Sequence, residues 1–381
     1  MKPIVIIGTG LAGYNTAKEF RKLDSETPLH LITSDDGRFY SKPMLSSALT
    51  NGKTPEALAS ASAGQMAEQL NATIWTNAVV KGIDSTAQHI DVRGGIVCYS
   101  RLILALGAEP IHPPMQGNAV PEVLTVNNLG DYSLFRNAIA DARHIAIIGP
   151  GLIGCEFAND LTNAGKHVTV IGPDAAPLGR LLPPEAGRAL HDALTRIGIE
   201  WHLGVTATDI NHRQNGLRLT LSDNTHVNAD VVLSAVGLRP STQLAKQAGL
   251  KINRGIVVNH FLETSATNVY ALGDCMEVAG LVLPFVMPIM HCARTLAKTL
   301  AGLPTRLQYP AMPVVVKTPA HPVVVSPPPP DTMGQWQISS VNDGIRAEYR
   351  DANNHLLGFA LTGSATAEKQ ALTKELPPLL T

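Results

Sequence analysis

Two glycine-rich stretches decide the fold: Gly8-Thr9-Gly10-Leu11-Ala12-Gly13 and, about 140 residues later, Gly149-Pro150-Gly151-Leu152-Ile153-Gly154. Within residues 3–20 and 144–161, each loop lies between a short apolar run and an amphipathic helical pattern. In this spacing the first glycine permits a tight turn, and the second removes the Cβ that would block a pyrophosphate. The third glycine lets helix and strand pack closely. One such loop is a weak signal, but two copies in the same context predict two dinucleotide sites.

The segments around the loops predict parallel sheets. A second apolar strand follows each copy, at Leu29–Ile32 and at Val168–Ile171. Three further apolar strands run into glycine, at residues 102–107, 231–237 and 269–273. Because strand–helix–strand alternation builds parallel sheets with right-handed crossovers, we expect an α/β protein.

The order of these segments predicts three domains. Two are Rossmann-like dinucleotide-binding domains: a discontinuous FAD-binding domain at residues 1–112 and 238–308, and an inserted NAD-binding domain at 118–237. From residue 309 to 381 the pattern changes to Val triplets, prolines and short strands, with a final helix expected at about Ala365–Leu376. We therefore expect a small C-terminal α+β domain there.

Composition excludes several classes of protein. With 381 residues, 45% apolar and 16% charged, the chain is typical of a globular protein of two or three domains. No apolar run approaches a membrane span, and a strand pattern begins almost at once, so we expect neither membrane insertion nor a signal peptide, and a cytoplasmic location. A net charge of −1 argues against a general nucleic-acid binder. Four scattered cysteines and no ligand spacing among the histidines predict neither a disulfide framework nor a metal site.

Acidic residues at strand ends indicate which nucleotide each domain holds. Asp35 follows the first domain's second strand and is a candidate ribose anchor, although Asp35 and Asp36 would also suit a turn cap. In the second copy Gly172 stands where an acid is usual, and Asp174 favours NAD over NADP. Asp274, at a strand end near a helix start, can hydrogen-bond a ribityl hydroxyl, which predicts FAD in the first domain.

Together these motifs resemble the flavoproteins that bind two dinucleotides, a likeness that includes Ala105–Pro110 and Tyr270–Asp274. Disulfide reductases and NADH peroxidases of that superfamily carry redox cysteines near residues 40–46, where this chain has Lys42-Pro43. The chain instead resembles the branch that reduces small iron–sulfur and rubredoxin carriers, and within it the rubredoxin–NAD reductases of alkane-degrading bacteria. Further segments support this likeness: Gly8–Asn15, Ser41–Ser46, Leu152–Leu161, Val286–Met290 and Met312–Ala320. Leu106 departs from the threonine common at its position.

The resemblance implies a reductase that takes hydride from NADH, with NADPH left open, into FAD and passes single electrons to rubredoxin, a small acidic iron protein. It implies a supporting role in alkane hydroxylation and a monomer or weak homodimer. Three alternatives stay open: a ferredoxin reductase of a mono- or dioxygenase system, a flavin NADH oxidase, and a non-enzymatic nucleotide-binding sensor.

The resemblance also implies site residues. Lys42 and Glu156 are expected to pair beside the flavin N5, where a lysine stabilises the anion that hydride transfer creates. The alternative is a helix-start acid and a solvated loop charge. Lys317, from the terminal domain, is expected at the far edge of the flavin. The full FAD set is Gly8, Thr9, Gly10, Leu11, Ala12, Gly13, Ser34, Asp35, Lys42, Val80, Glu156, Asp274, Val286 and Lys317. The NAD set is Gly149, Gly151, Gly154, Asp174 and Gly237.

Overall fold

The first glycine loop follows the central strand of a five-stranded parallel sheet in the computed structural model, which describes residues 2–381. In spatial order the strands are Val269–Ala271, Arg101–Leu104, Ile4–Ile7, Leu29–Ile32 and Thr73–Trp75. Ile4–Ile7 is buried along its length, as expected for a parallel strand covered on both faces. The helix after the loop, Leu11–Arg21, packs against a second long helix, Val286–Leu300.

The second glycine loop repeats this arrangement in a four-stranded parallel sheet. Its strands in spatial order are Ile199–Leu203, His167–Gly172, His144–Ile148 and Val231–Ser234. The helices of this region are Leu129–Ala138, Leu152–Asn163 and Pro184–Arg196. An antiparallel sheet adjoins it, built from Ala207–His212, Leu217–Leu221 and His226–Ala229.

The chain passes between the two parallel sheets through one antiparallel pair. Ala108–Pro110, on the way to the second sheet, pairs with Leu238–Pro240, on the way back. This pairing agrees with an inserted second domain, while the limits at residues 112, 118, 237 and 308 stay a prediction. The other strands around the first sheet are Phe39–Tyr40, Ala59–Ala61, Val80–Asp84, His89–Val92, Gly95–Cys98, Ile256–Val258 and Met276–Val278. The shorter α-helices are Pro55–Leu58, Ala63–Leu70 and Gln243–Gln247, and 3₁₀ helices lie at Lys42–Ser47, Val120–Glu122 and Gly273–Cys275.

The C-terminal region forms a five-stranded antiparallel sheet, as the change of pattern predicted. In spatial order the strands are Val314–Val316, Val323–Ser326, Leu356–Thr362, Gly344–Arg350 and Gln335–Val341. The final α-helix is present but starts later than the sequence predicted. Residues Gly363–Glu368 form a 3₁₀ helix and only Lys369–Glu375 is α-helical. The left-handed backbone of Gly363 (φ +53°) and the bond from the Thr366 hydroxyl to its carbonyl (2.7 Å) fix the tight first turns.

One hydrophobic core joins three parts of the chain. It contains Ile145 and Leu161 from the second sheet and its helix, Leu45 from the 3₁₀ helix Lys42–Ser47, and Val316 and Val325 from the C-terminal sheet. Because these side chains share one buried cluster, the C-terminal sheet packs as an integral part of the molecule. Across residues 2–381 the structure contains no helix with the length and apolar character that crossing a membrane requires.

Candidate functional site

The two glycine loops have the same geometry. Gly8 and Gly149 lie in the left-handed region, at φ +111° and +114°. A Cβ on Gly13 or Gly154 would strike the carbonyl oxygen of the first glycine of its own loop, whereas one on Gly10 or Gly151 would meet no atom within 4 Å. The space over each helix start is therefore open, and it suits a diphosphate facing the free N–H groups.

Asp35 lies in a turn beside the first loop. Its Oδ1 accepts hydrogen bonds from Thr33 Oγ1 (2.6 Å), from the Gly37 amide (3.0 Å) and, more weakly, from Thr9 Oγ1 (3.4 Å). Asp35 thus does cap a turn, as the alternative reading held, and it also remains exposed next to Ser34. Backbone bonds hold residues 77 and 78 against this turn, which brings the strand that begins at Val80 to the same place.

Asp274 lies on the other side of the first loop, in the 3₁₀ helix Gly273–Cys275. A Cβ on Gly273 would come within 2.8 Å of Ala12 Cβ, and the helix that begins at Val286 is adjacent. Asp274 Oδ1 is buried and has no hydrogen-bond partner. Burial raises the pKa of this carboxyl, and the charge of Lys42 opposes the rise. A buried oxygen without a partner requires a donor, which the hydroxyl of a ribityl chain would supply. The residues around the first loop therefore fit FAD.

Lys42 and Glu156 do not pair, and that part of the sequence prediction was wrong. Glu156 is only 1% exposed and pairs instead with the Lys317 ammonium. Its Oε1 also accepts from the Lys317 amide (2.8 Å), and its Oε2 from the Ser46 hydroxyl (2.5 Å). Both carboxylate oxygens are thus bound by other groups, and Lys42 is not among the hydrogen-bond partners of Glu156. Glu156 is also the fifth residue of its helix, past the first turn, so the helix-start alternative fails as well.

Lys42 is held by a different partner. Its ammonium donates to Asn127 Oδ1 (2.6 Å), and Asn127 Nδ2 in turn donates to the Ala108 carbonyl (2.8 Å). Burial lowers the pKa of Lys42, while the charges of Asp274 and Asp131 oppose that shift. Lys42 is therefore a partly buried cation near Asp274, which excludes the alternative of a solvated loop charge.

Lys317 is a cation in an apolar strand segment, and strand alternation alone would have exposed it. Its ammonium instead contacts the Pro43 carbonyl (2.6 Å) and Ser46 Oγ (2.8 Å) in addition to Glu156. The position expected from the resemblance, at the far edge of the flavin, stays a prediction.

The strand His167–Gly172 ends in glycine, where dinucleotide-binding folds usually have an acidic residue, and the structure gives a physical reason for this difference. A side chain on Gly172 would collide with the ring of Pro150 in the second glycine loop. Proline in the loop therefore leaves no room for the usual acid at the strand end. Asp174 lies nearby and pairs with Arg180, an exposed cation that sequence reasoning missed (Nε–Oδ1 3.6 Å). Gly237 adopts φ +121°. Its carbonyl accepts a hydrogen bond from the Ile111 amide (3.0 Å), beside the antiparallel pair that connects the two parallel sheets.

Sequence reasoning also missed Ser46 and Asn127, which bind the charged side chains of Glu156 and Lys42. It missed Asp160 too, whose carboxylate accepts from the amides of Leu49 and Thr50 (2.9 Å each). Only Asn127 had a sequence signal, since the next residue is a helix N-cap. Among the cysteines, Cys155 is fully buried.

Comparison with known proteins agrees with this geometry. Residues 2–296 match the family of pyridine nucleotide-disulphide oxidoreductases, and residues 306–376 match a rubredoxin-binding C-terminal domain. The chain is 50% identical to a rubredoxin-NAD(+) reductase of Alcanivorax borkumensis over the full length of both chains. It is 44% identical to one of Acinetobacter baylyi, covering all of this chain and 99% of that one. A ferredoxin reductase from Rhodopseudomonas palustris superposes with a TM-score of 0.89 at 25% identity, covering 99% of this chain and 96% of that one.

Proposed function

The chain belongs to the pyridine nucleotide-disulphide oxidoreductase family, and on that premise we propose that it is a rubredoxin reductase. In this role it takes hydride from NADH, reduces its FAD and passes the electrons singly to rubredoxin. The observation that carries the proposal is the combination of two features. Two glycine-rich loops leave open space over their helix starts, and a terminal sheet matches a rubredoxin-binding domain. That sheet reaches the junction of the two nucleotide folds through Lys317.

FAD supplies the conversion between the electron pair of a hydride and the single electrons that an iron carrier accepts. We propose that the first glycine loop, Gly8–Gly13, holds its diphosphate, with Ser34, Asp35 and Val80 at the adenosine end. Asp274 and the helix start at Val286 would hold the ribityl chain and the ring. The second loop, with Gly149, Gly151 and Gly154, would hold NADH, with Asp174 and Gly237 at the two ends of that site.

Lys42 would provide the positive charge beside the reacting ring. It is partly buried, so its charge acts at low screening, and Asn127 fixes its ammonium. Glu156 would fix the surroundings of Lys42 through Ser46 and Lys317 rather than by touching Lys42. This division of roles replaces the direct pair expected from the sequence.

The preference for NADH over NADPH is part of the proposal. Asp174 supports it, because a carboxylate after the second strand would accept from the adenosine ribose, but its partner Arg180 would reduce the discrimination against a 2′-phosphate. We expect NADH to be favoured only modestly. The cytoplasmic location and the role in alkane hydroxylation likewise stay part of the proposal.

Absorption spectroscopy of the purified protein tests the function. We expect a bound-flavin spectrum that NADH bleaches anaerobically, and reduced protein that reduces purified rubredoxin over many turnovers. A [2Fe–2S] ferredoxin and O₂, assayed in parallel at matched concentrations, represent the alternatives. Faster reduction of ferredoxin than of rubredoxin would overturn the proposed acceptor, and a protein that NADH does not bleach would overturn the reductase itself.

A further inference from the structure

The helix Leu152–Asn163 carries a buried polar line, which we define as Glu156, Asn159 and Asp160. These residues lie on one face of the helix and are 1%, 0% and 6% exposed. The two carboxylates and the amide oxygen all accept hydrogen bonds from backbone N–H groups outside the helix. A line of this kind fixes the helix to the segments that supply the donors.

The donors of the polar line come from two distant parts of the chain. The Lys317 amide bonds Glu156 (2.8 Å) and the Ala320 amide bonds Asn159 Oδ1 (3.1 Å), both from the terminal region. The amides of Leu49 and Thr50, which follow the 3₁₀ helix Lys42–Ser47, bond Asp160 (2.9 Å each). One helix of the second nucleotide region is thus bonded to both other parts of the molecule.

The Lys317 side chain also binds the 3₁₀ helix that begins at Lys42. Its ammonium binds the carbonyl of Pro43 (2.6 Å), the residue directly after Lys42, and the hydroxyl of Ser46 in the same 3₁₀ helix. The same ammonium neutralises Glu156. The backbone beside Lys42 is therefore fixed by a side chain from the C-terminal sheet.

Removing one member of this network would leave a buried charge without its partner. Loss of the Lys317 ammonium would leave Glu156, which is 1% exposed, without its counter-charge. The local result would be a shift of the segment that carries Lys42. Positioned groups are sensitive to such shifts, since a misplacement of about 1 Å can reduce a rate about a hundredfold.

We infer that the C-terminal domain is part of the hydride-transfer site: Lys317 is a positioning residue that fixes the Lys42 segment and the helix Leu152–Asn163 relative to each other. The domain is then required for the reduction of FAD by NADH before any acceptor protein binds. In that step NADH loses a hydride and becomes NAD⁺, and FAD takes up that hydride, which is one proton and two electrons. The inference rests on the proposed function and adds a second role to the domain that would bind rubredoxin.

The test compares Lys317→Met with wild type as FAD-loaded full-length proteins. Anaerobic stopped-flow mixing with a series of NADH concentrations gives the limiting rate of flavin bleaching and the apparent Kd for NADH, without any acceptor. We expect a limiting rate about tenfold lower in Lys317→Met with little change in that Kd, and partial recovery in Lys317→Arg. Lys374→Met, at an exposed position in the same region, is the matched control and should keep the wild-type rate.

Hydrogen exchange provides a readout independent of activity. Amides of residues 42–50 and 314–320 should exchange faster in Lys317→Met than in wild type, with and without FAD. Should Lys317→Met fail to fold, the milder variant Asn159→Ala decides. It removes the acceptor of the Ala320 amide and should be several-fold slower in bleaching.

Wild-type bleaching rates in Lys317→Met, or in Asn159→Ala where Lys317→Met does not fold, would overturn the inference. Slower rubredoxin reduction in such variants would then mean that the domain serves the acceptor alone. That outcome leaves the proposed function intact. Failure of the wild-type protein to bleach with NADH would instead contradict the proposed function.

Discussion

At the scale of single residues, Asp274 shows how a binding group can cost stability. Its Oδ1 is buried without a donor, and burial raises its pKa above the ordinary aspartate value of 3.8. The folded apoprotein therefore holds this proton to higher pH than the unfolded chain does. The resulting loss of stability develops as pH rises from 3.8 through the raised pKa, and it is complete above it.

We therefore predict opposite effects of Asp274→Asn on stability and on FAD binding. At neutral pH the apoprotein should gain about 1 kcal/mol in the free energy of unfolding, since the uncharged amide is cheaper to bury without a donor. That gain should shrink as pH falls towards 3.8. FAD affinity should fall about tenfold, because a charged acceptor is lost. Urea titrations at several pH values and a fluorescence titration with FAD measure the two quantities.

The exposed Asp141→Asn is the control for this prediction and should change neither quantity. Unaltered FAD affinity in Asp274→Asn would remove this carboxylate from the proposed FAD set. A loss of apoprotein stability at neutral pH would instead mean that the attraction to Lys42 outweighs the desolvation of the carboxylate.

At the scale of elements, the parts that the sequence predicted are those set by local rules. The strands before and after the glycine loops follow apolar runs, and Gly8 and Gly149 adopt the positive φ that their spacing requires. The partner of Glu156 could not be predicted in this way. It depends on how the strand Val314–Val316 packs against a helix about 161 residues earlier in the chain. No local sequence pattern indicates whether Lys42 or Lys317 pairs with Glu156.

The link between Pro150 and Gly172 is also an element-scale feature and gives a prediction about coenzyme choice. Gly172→Glu alone should lower the thermal midpoint, because its Cβ meets the Pro150 ring and overpacking of this kind costs about 1–3 kcal/mol. Combined with Pro150→Ala, the glutamate should be accommodated at the strand end. There it should raise the NADH to NADPH ratio of kcat/KM by about tenfold, since a carboxylate accepts from the 2′-hydroxyl and repels a 2′-phosphate.

Thermal melts and the two kcat/KM values for the four proteins of this cycle provide the measurement. Pro150→Ala alone serves as the matched control and should keep the wild-type coenzyme ratio. If Gly172→Glu were equally stable with and without Pro150→Ala, the steric explanation for the missing acid would be wrong.

At the scale of the whole molecule, the shared core predicts how the chain unfolds. The three tryptophans report on separate sheets: Trp75 on the first, Trp201 on the second and Trp336 on the C-terminal one. Trp201 and Trp336 both pack against the core that joins the second sheet, the 3₁₀ helix at Leu45 and the C-terminal sheet. Regions that share one buried cluster and a partly buried ion pair should open together rather than as separate domains.

We therefore predict that variants retaining only Trp201 or only Trp336, with the other tryptophans changed to phenylalanine, unfold with the same urea midpoint. Weakening the junction should separate them: with Lys317→Met, the Trp336 transition should move to lower urea than that of Trp201. Retaining only Trp75, whose neighbours belong to a different cluster, gives the reference for the first sheet. Two clearly separate midpoints for Trp201 and Trp336 in otherwise unaltered protein would mean that the terminal sheet unfolds independently. The junction would then be too weak to hold Lys42 in place.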